Sequence, residues 1–243
     1  MRYPRIKLIC VPVIAMGVAV ALAAAATAQT RSQFGPPVRT NDHNIQAYAR
    51  TWTAIRDQNI VKQQRDFSCG AAALATICRY YWGDPVTENQ VLGVIEKQLT
   101  REELEERFKN GLAISDLRLT AVKLGYLSTI GRLSMSELAD VKVPLVVAIR
   151  LEETNHFVVL RGMANGWVFL ADPARGNLRI PQFEFERIWI ENAVLVVAKK
   201  GKAKSDVSQL GVRHEEMARG WLDDQIIRTF PEKPFRVPFP AYP

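Results

Sequence analysis

The chain has 243 residues, is 48% hydrophobic and 23% charged, and carries 32 basic against 25 acidic side chains, a formal charge of +7. This composition excludes a fibre, a low-complexity chain and a fully disordered one, and the length suffices for one medium-sized domain with a buried core. The basic balance is no nucleic-acid signature, because no basic-aromatic stripe or nucleic-acid motif accompanies it and part of it belongs to the first residues.

Those first residues predict an export signal. Arg2, Arg5 and Lys7 precede an uncharged apolar run over 8–26, and Ala26-Thr27-Ala28 places small residues where a signal peptidase reads, so a signal peptide over 1–28 with cleavage before Gln29 is expected. A retained membrane anchor is the competing reading, since the run approaches bilayer thickness. Cys10, inside the run, lacks the setting of a lipoprotein site. Removing the leader takes the 32 basic residues to 29 and leaves all 25 acidic ones, so the charge falls to +4.

Residues 29–60 read as a polar, Pro-containing extension with a helix-like stretch over 44–56. The domain proper is expected over 61–198. It opens with an apolar run after Cys69 that is dense in helix formers and closed by Gly83 and Pro85, which predicts a buried helix over 70–82. Thr87 and Gln90 form a capping-box pattern that predicts a helix through Ile95. A charged helix follows over 99–109, its residues 102–109 read as a solvated face. Another helix is expected over 115–124, with Ser115 or Asp116 as its cap and Gly125 behind it.

The pattern then changes to short β-rich runs over 127–131, 144–150, 156–161, 167–171 and 193–198, with Asn165-Gly166 as a hairpin signal. Helices first and an antiparallel sheet afterwards is the α+β pattern. Residues 199–243 form a charged, Pro-rich tail, with a helix expected near 215–229, and no internal repeat is visible.

Two cysteines follow the leader. If 70–82 is helical, Cys69 and Cys78 lie about 13 Å apart along the axis, and a disulfide needs Cα atoms within about 7 Å. Cys78 is then a buried core thiol. Cys69 stands at the helix N-terminus, where free N–H groups and positive potential favour a thiolate and can face an oxyanion. Gly70 next to it permits close approach of a substrate backbone. The plainer alternative is that Cys69 is only a small buried hydrophobe.

A base must come from three histidines. His43 and His214 lie in polar segments and read as solvated. His156 opens an apolar strand, in Asn155-His156-Phe157-Val158-Val159. If Asn165-Gly166 is the hairpin turn, the start of one strand meets the end of the next, which brings Asp172 beside His156. Singly, a strand histidine is usually structural and an Asp-Pro pair a turn initiator. Together with Cys69 they supply nucleophile, base and orienter. One histidine in the domain and no paired Cys or His spacing offer no metal ligand set, so neither metal nor cofactor is expected.

The stretch from Gln63 through Ser68-Cys69-Gly70-Ala71-Ala72 resembles the nucleophile motif of the C39 peptidases, papain-like domains that trim double-glycine leaders and are usually fused to an exporter. Residues 155–159 are similar to that family's histidine strand, Asp172-Pro173 to its aspartate motif and 111–117 to a further segment. The resemblance spans about 61–198. It implies a papain-like fold with N-terminal helices on an antiparallel sheet, and catalytic roles for Cys69, His156, Asp172 and Gln63. Gln63 would donate its amide to the oxyanion, with Gln64 the runner-up.

The chain departs from the exporter-fused pattern, since it has no Walker A sequence and no six-helix membrane region. It is similar instead to stand-alone periplasmic members, some associated with secretion or functional-amyloid systems. The implied partner is a peptide or protein substrate, cleaved after a small-residue pair such as Gly-Gly, and not nucleic acid. A non-catalytic peptide-binding or chaperone domain, or a papain-like acyltransferase or deamidase, are the alternatives.

Overall fold

The first half of the domain is helical because its apolar residues are spaced for helices, and the second half is a sheet because long β-branched runs take over. The computed structural model describes residues 38–39, 44–45 and 51–217, apart from 152, 153 and 203. The expected signal peptide, His43 and the tail beyond 217 lie outside the described residues. The chain divides into two units, 1–52 and 53–243. In the first, β1 Val38–Arg39 pairs antiparallel with β2 Asn44–Ile45. Asn44 and Ile45 are therefore strand, not helix, in register with Arg39 and Val38. Of the rest of the expected helix, Trp52–Arg56 form α1, and 46–50 lie outside the described residues.

In the second unit α2 spans Cys69–Thr76, and every one of its residues is buried. It continues as a wider π turn over Ile77–Tyr81 instead of remaining α-helical to Trp82. The wide turn carries bulky rings into the core: Tyr81 and Trp82 stack edge to face at 4.7 Å, and Trp82 Nε1 donates to Val197 O at 3.1 Å. Helices α3 Glu88–Glu96 and α4 Arg101–Asn110 each start on a full capping box, Thr87 with Gln90 and Thr100 with Glu103. Helix α5 spans Ile114–Lys123, one residue earlier than expected, with Ala113 at its cap position. Asp116 lies inside its first turn, where Oδ2 accepts from Ala113 N at 3.0 Å and from Arg107 Nε at 2.6 Å. Gly125 follows with φ +92°, as a helix stop requires.

The sheet comprises β3 Leu127–Arg132, β4 Leu145–Leu151, β5 Thr154–Ala164, β6 Trp167–Asp172, β7 Gly176–Pro181 and β8 Trp189–Ala198. Their order is β3-β8-β4-β5-β6-β7, with every neighbouring pair antiparallel. Alternate side chains enter two cores. Val146, Phe157, Val159, Ala171 and Leu195 join the helical side with α2. Val147, Val158, Leu160, Val168 and Leu170 join Phe185 and Leu138 on the other. Burial on both faces explains why the central strands read as unbroken apolar runs. Asn165 and Gly166, at φ 52° and 77°, make the β5–β6 turn.

Three elements escape the sequence pattern. They are α6 Met135–Asp140, α7 Gln182–Ile188 and the edge strand β7, which is short and contains Gly, Asn and Pro. The described part of the tail returns to the domain. Leu210 is buried in the helical-side core, and Gln209 N donates to Tyr80 O at 2.7 Å. The last described helix is α8 His214–Met217.

Glu216, in that helix, accepts two bonds from the buried Arg161 guanidinium, at 2.8 and 2.7 Å. The same guanidinium donates to Leu210 O, Gly211 O and Asn177 Oδ1. Burial disfavours the Glu216 carboxylate, but Arg161 and Arg213 hold it down at about 2. Arg161→Ala should therefore cost about 3 kcal/mol, the scale for stranding one member of a buried ion pair. That lowers the melting temperature by on the order of 10 °C for a domain of this size. Because the folded value lies below the ordinary glutamate value, the contribution is complete above about pH 5 and fades as pH falls toward 2. Thermal unfolding of parent and variant at pH 7 and pH 3 checks this; an equal gap at both would contradict it.

Candidate active site

Helix α2 begins at Cys69 itself, directly after Ser68. Ser68 does not cap it: its hydroxyl donates to Arg65 O at 2.7 Å and accepts from Arg65 N at 3.2 Å, closing the preceding turn. The helix that carries Cys69 thus has no side-chain cap, whereas α3, α4 and α6 are all closed by capping boxes. Its first-turn N–H groups are of the kind that favour negative charge. Cys69 is 4% exposed, and its Sγ accepts the backbone N–H of Phe157 at 3.5 Å. Residue-type reasoning overlooks this donor because it is main chain, one residue past His156.

Gly70 has a different role from the expected one. A Cβ there would stand 3.0 Å from Leu117 Cδ1 and 3.1 Å from Phe157 Cδ2. The space beside Gly70 is filled by side chains of α5 and β5, so the glycine lets α2 seat on the sheet next to His156 and does not open a path for substrate backbone.

In the β5–β6 hairpin Val159 faces Ala171. Asp172 is one step further, diagonal to His156 and on the same side of the sheet. His156 Nε2 and Asp172 Oδ1 are 2.9 Å apart. Asp172 is fully buried, and Oδ1 also accepts from Ala174 N at 2.7 Å and Arg175 N at 3.0 Å. Its Oδ2 accepts from Arg175 Nε at 2.7 Å. The turn-initiator role and the contact with histidine are therefore both realised by one carboxylate. Arg175 is a partner that the sequence reading lacks; its signal is a cation three residues after the aspartate.

Burial alone would disfavour charge on both members of this pair. For His156 the Asp172 hydrogen bond, then the Cys69 side chain and the charges of both neighbours, outweigh burial and raise the imidazole to about 9. For Asp172 the His156 and Arg175 contacts outweigh burial and hold the carboxyl far below the usual range. Cys78 is the contrast: burial pushes its thiol up to about 12. Both cysteines are free.

Gln63 lies beside the turn that carries Asp172. Its backbone N–H donates to Pro173 O at 3.1 Å, and Lys62 Nζ donates to Ala174 O at 2.6 Å. The Gln63 amide Nε2 donates to Arg65 O at 3.2 Å; an amide nitrogen has a second N–H. Gln64 has an exposed side chain.

An α+β domain with a helix-terminal cysteine, a strand histidine and a buried aspartate has the layout of a cysteine peptidase. The peptidase C39 family matches residues 57–202, and the chain belongs to that family of papain-like cysteine peptidases. It is 32% identical over 155 residues to the "Probable functional amyloid protease FapD" of Pseudomonas fluorescens, covering 62% of this chain and 65% of that one. It is 33% identical over 134 residues to the protein of that name from Pseudomonas aeruginosa, covering 55% and 58%. The chain thus spans less than two thirds of these relatives' lengths. Among solved structures, the peptidase domain of Streptococcus ComA, a bi-functional ABC transporter, is similar at 19% identity and TM-score 0.49, covering 58% of this chain and 97% of that one.

Proposed function

We propose that this chain is an exported peptidase that hydrolyses a peptide or protein substrate through an acyl-enzyme. One observation carries the reading: in a C39 family member, a helix-terminal Cys69, His156 and the buried Asp172 come together, with the His156–Asp172 contact at 2.9 Å and a main-chain donor on the sulfur at 3.5 Å. With Nε2 engaged by Asp172, Nδ1 is the ring nitrogen left for Cys69. The thiolate attacks the scissile carbonyl carbon, a C–S bond forms, and the carbonyl oxygen takes the negative charge. The backbone N–H of Cys69 and the free N–H of the Gln63 amide receive that charge. Collapse breaks the C–N bond as the His156 imidazolium protonates the leaving amine. Neutral His156 then takes a proton from water as the water oxygen attacks the thioester carbon, and the C–S bond breaks to release the acid and restore the Cys69 thiolate beside the His156 imidazolium.

Export is supported by the charged start, the apolar run over 8–26 and Ala26-Thr27-Ala28, and a periplasmic site of action fits a leader of that kind. The likeness to proteins named functional amyloid proteases favours a substrate belonging to an exported amyloid or secretion system. A small-residue pair before the cleaved bond is the specificity we assign. Mass spectrometry of exported peptides, comparing the parent strain with one carrying Cys69→Ala, tests the reading. Loss of one defined cleavage after a small-residue pair is expected; an unchanged set of peptides would count against it.

A further inference from the structure

Glu88 has no place in the sequence reading or in the reaction above. It is the first residue of α3, a position where an acid favours the helix dipole and normally faces water. Here the residue is 2% exposed. Its Oε1 accepts the backbone N–H of Gln64 at 3.1 Å, and its buried Oε2 makes no hydrogen bond among the described residues. Burying a carboxyl group with one oxygen left unpaired is costly, so the contact this burial secures is the one bond that Glu88 makes, to Gln64 N–H.

The bond holds the segment that delivers Gln63. On one side Gln63 N–H is tied to Pro173 O, in the turn that carries Asp172. On the other side the next peptide N–H, that of Gln64, is tied to Glu88 at the start of α3. The two ties hold the peptide planes on either side of the Gln63 Cα, and so the backbone angles from which its side chain leaves the chain. Between them the Gln63 side chain is held to Arg65 O by Nε2, and its Oε1 is buried without a partner among the described residues. Without the Glu88 tie the plane between Gln63 and Gln64 can rotate, and Arg65 O, which holds the Gln63 amide, moves with it.

We propose that Glu88 is a positioning residue: through Gln64 N–H it aims the Gln63 amide at the oxyanion. The inference rests on the assignment of Gln63 under the proposed function. The test uses the full chain as Glu88→Leu, Glu88→Gln, Gln63→Ala and the Glu88→Leu/Gln63→Ala double variant. One readout is kcat and KM on a peptidyl-Gly-Gly-aminomethylcoumarin; the other is the rate of Cys69 alkylation by iodoacetamide, a displacement that builds no oxyanion.

Gln63→Ala is expected to lower kcat by about 100-fold, the scale for one oxyanion donor. Glu88→Leu is expected to lower it by on the order of 10- to 100-fold, the scale for a small misplacement. KM and alkylation should stay within about twofold, Glu88→Gln should recover most of kcat, and the double variant should lose little beyond Gln63→Ala. Full kcat in Glu88→Leu beside a crippled Gln63→Ala overturns the inference alone, as do fully additive losses or a parallel fall in alkylation. Full kcat in Gln63→Ala overturns the oxyanion assignment and this inference with it. If Glu88→Leu does not fold, Gln64→Pro deletes the N–H and leaves Glu88 in place; it should show the same split, and full kcat there overturns the inference.

Discussion

A Cys69→Ala protein should cleave peptide at background rates, a loss on the order of 10⁴-fold or more, because in the proposed mechanism Cys69 is the group that forms the acyl-enzyme. Its fold should survive. Cys69 is 4% exposed in a well-packed helix start, and alanine removes one sulfur and its 3.5 Å bond from Phe157 N–H. The cost is about 1 kcal/mol for a hydrogen bond of this kind plus a small void. Turnover measurement together with urea unfolding checks both parts. Cys78 cannot stand in as the nucleophile, since burial holds its thiol near 12 and it is shielded in the core. Iodoacetamide should therefore label native protein at Cys69 and leave Cys78 unmodified until the domain unfolds. Cleavage retained by a clean Cys69→Ala preparation would refute the assignment.

Asp172→Asn should lower kcat by about 10²- to 10⁴-fold, the range expected when a buried carboxylate that orients a catalytic imidazole is neutralised. The pH dependence should change in a defined direction. In the parent protein Asp172 sustains the imidazolium up to about 9, so the alkaline limb of the rate profile should lie near that value. Without the carboxylate charge, burial favours the neutral ring, and the limb should move toward acid by at least a unit.

Stability follows the same linkage. A raised histidine contributes fully below its ordinary value of 6.5, and the contribution is lost as pH rises through about 9. A depressed aspartate contributes above its ordinary value of 3.8 and loses that as pH falls. The shared interaction is therefore complete between about pH 4 and 6.5. In the Asp172→Asn variant an amide oxygen at the Oδ1 position can still accept from His156, Ala174 N and Arg175 N, but the amide NH₂ then faces the Arg175 guanidinium. Urea unfolding at pH 5.5 and 9.5 should show a larger deficit for the variant at pH 5.5. A gap independent of pH, with an unmoved alkaline limb, would mean that Asp172 acts only as a turn former.

Much of the architecture was legible from local pattern. The capping box at Thr87, the glycine stop at Gly125 and the Asn165-Gly166 turn are encoded within four residues each, and the structure has all three. The hairpin that sets Asp172 beside His156 followed from the turn and strand pairing alone. The failures are equally physical. The short β7, bounded by Gly176 and Pro181, alternates only over 177–180, too few residues to stand out until β6 pairs with it and Leu178 and Ile180 reach the core. The π turn at Ile77–Tyr81 answers the bulk of neighbouring rings, which helix propensity does not register.

Reading the chain by itself determined the α+β order and the cysteine at a helix start that a disulfide to Cys78 could not claim. It also determined a histidine and an aspartate at matching ends of one hairpin. Each of these depends on residues close in sequence, where period, capping and turn chemistry act directly. Tertiary structure alone decided what surrounds them: the Phe157 N–H on the sulfur 88 residues away, and Glu88 turned inward to a peptide 24 residues before it. It also decided the return of Glu216 to Arg161 across 55 residues. Such contacts form when separate elements are packed into one core, and no local periodicity records which partners that packing will bring together.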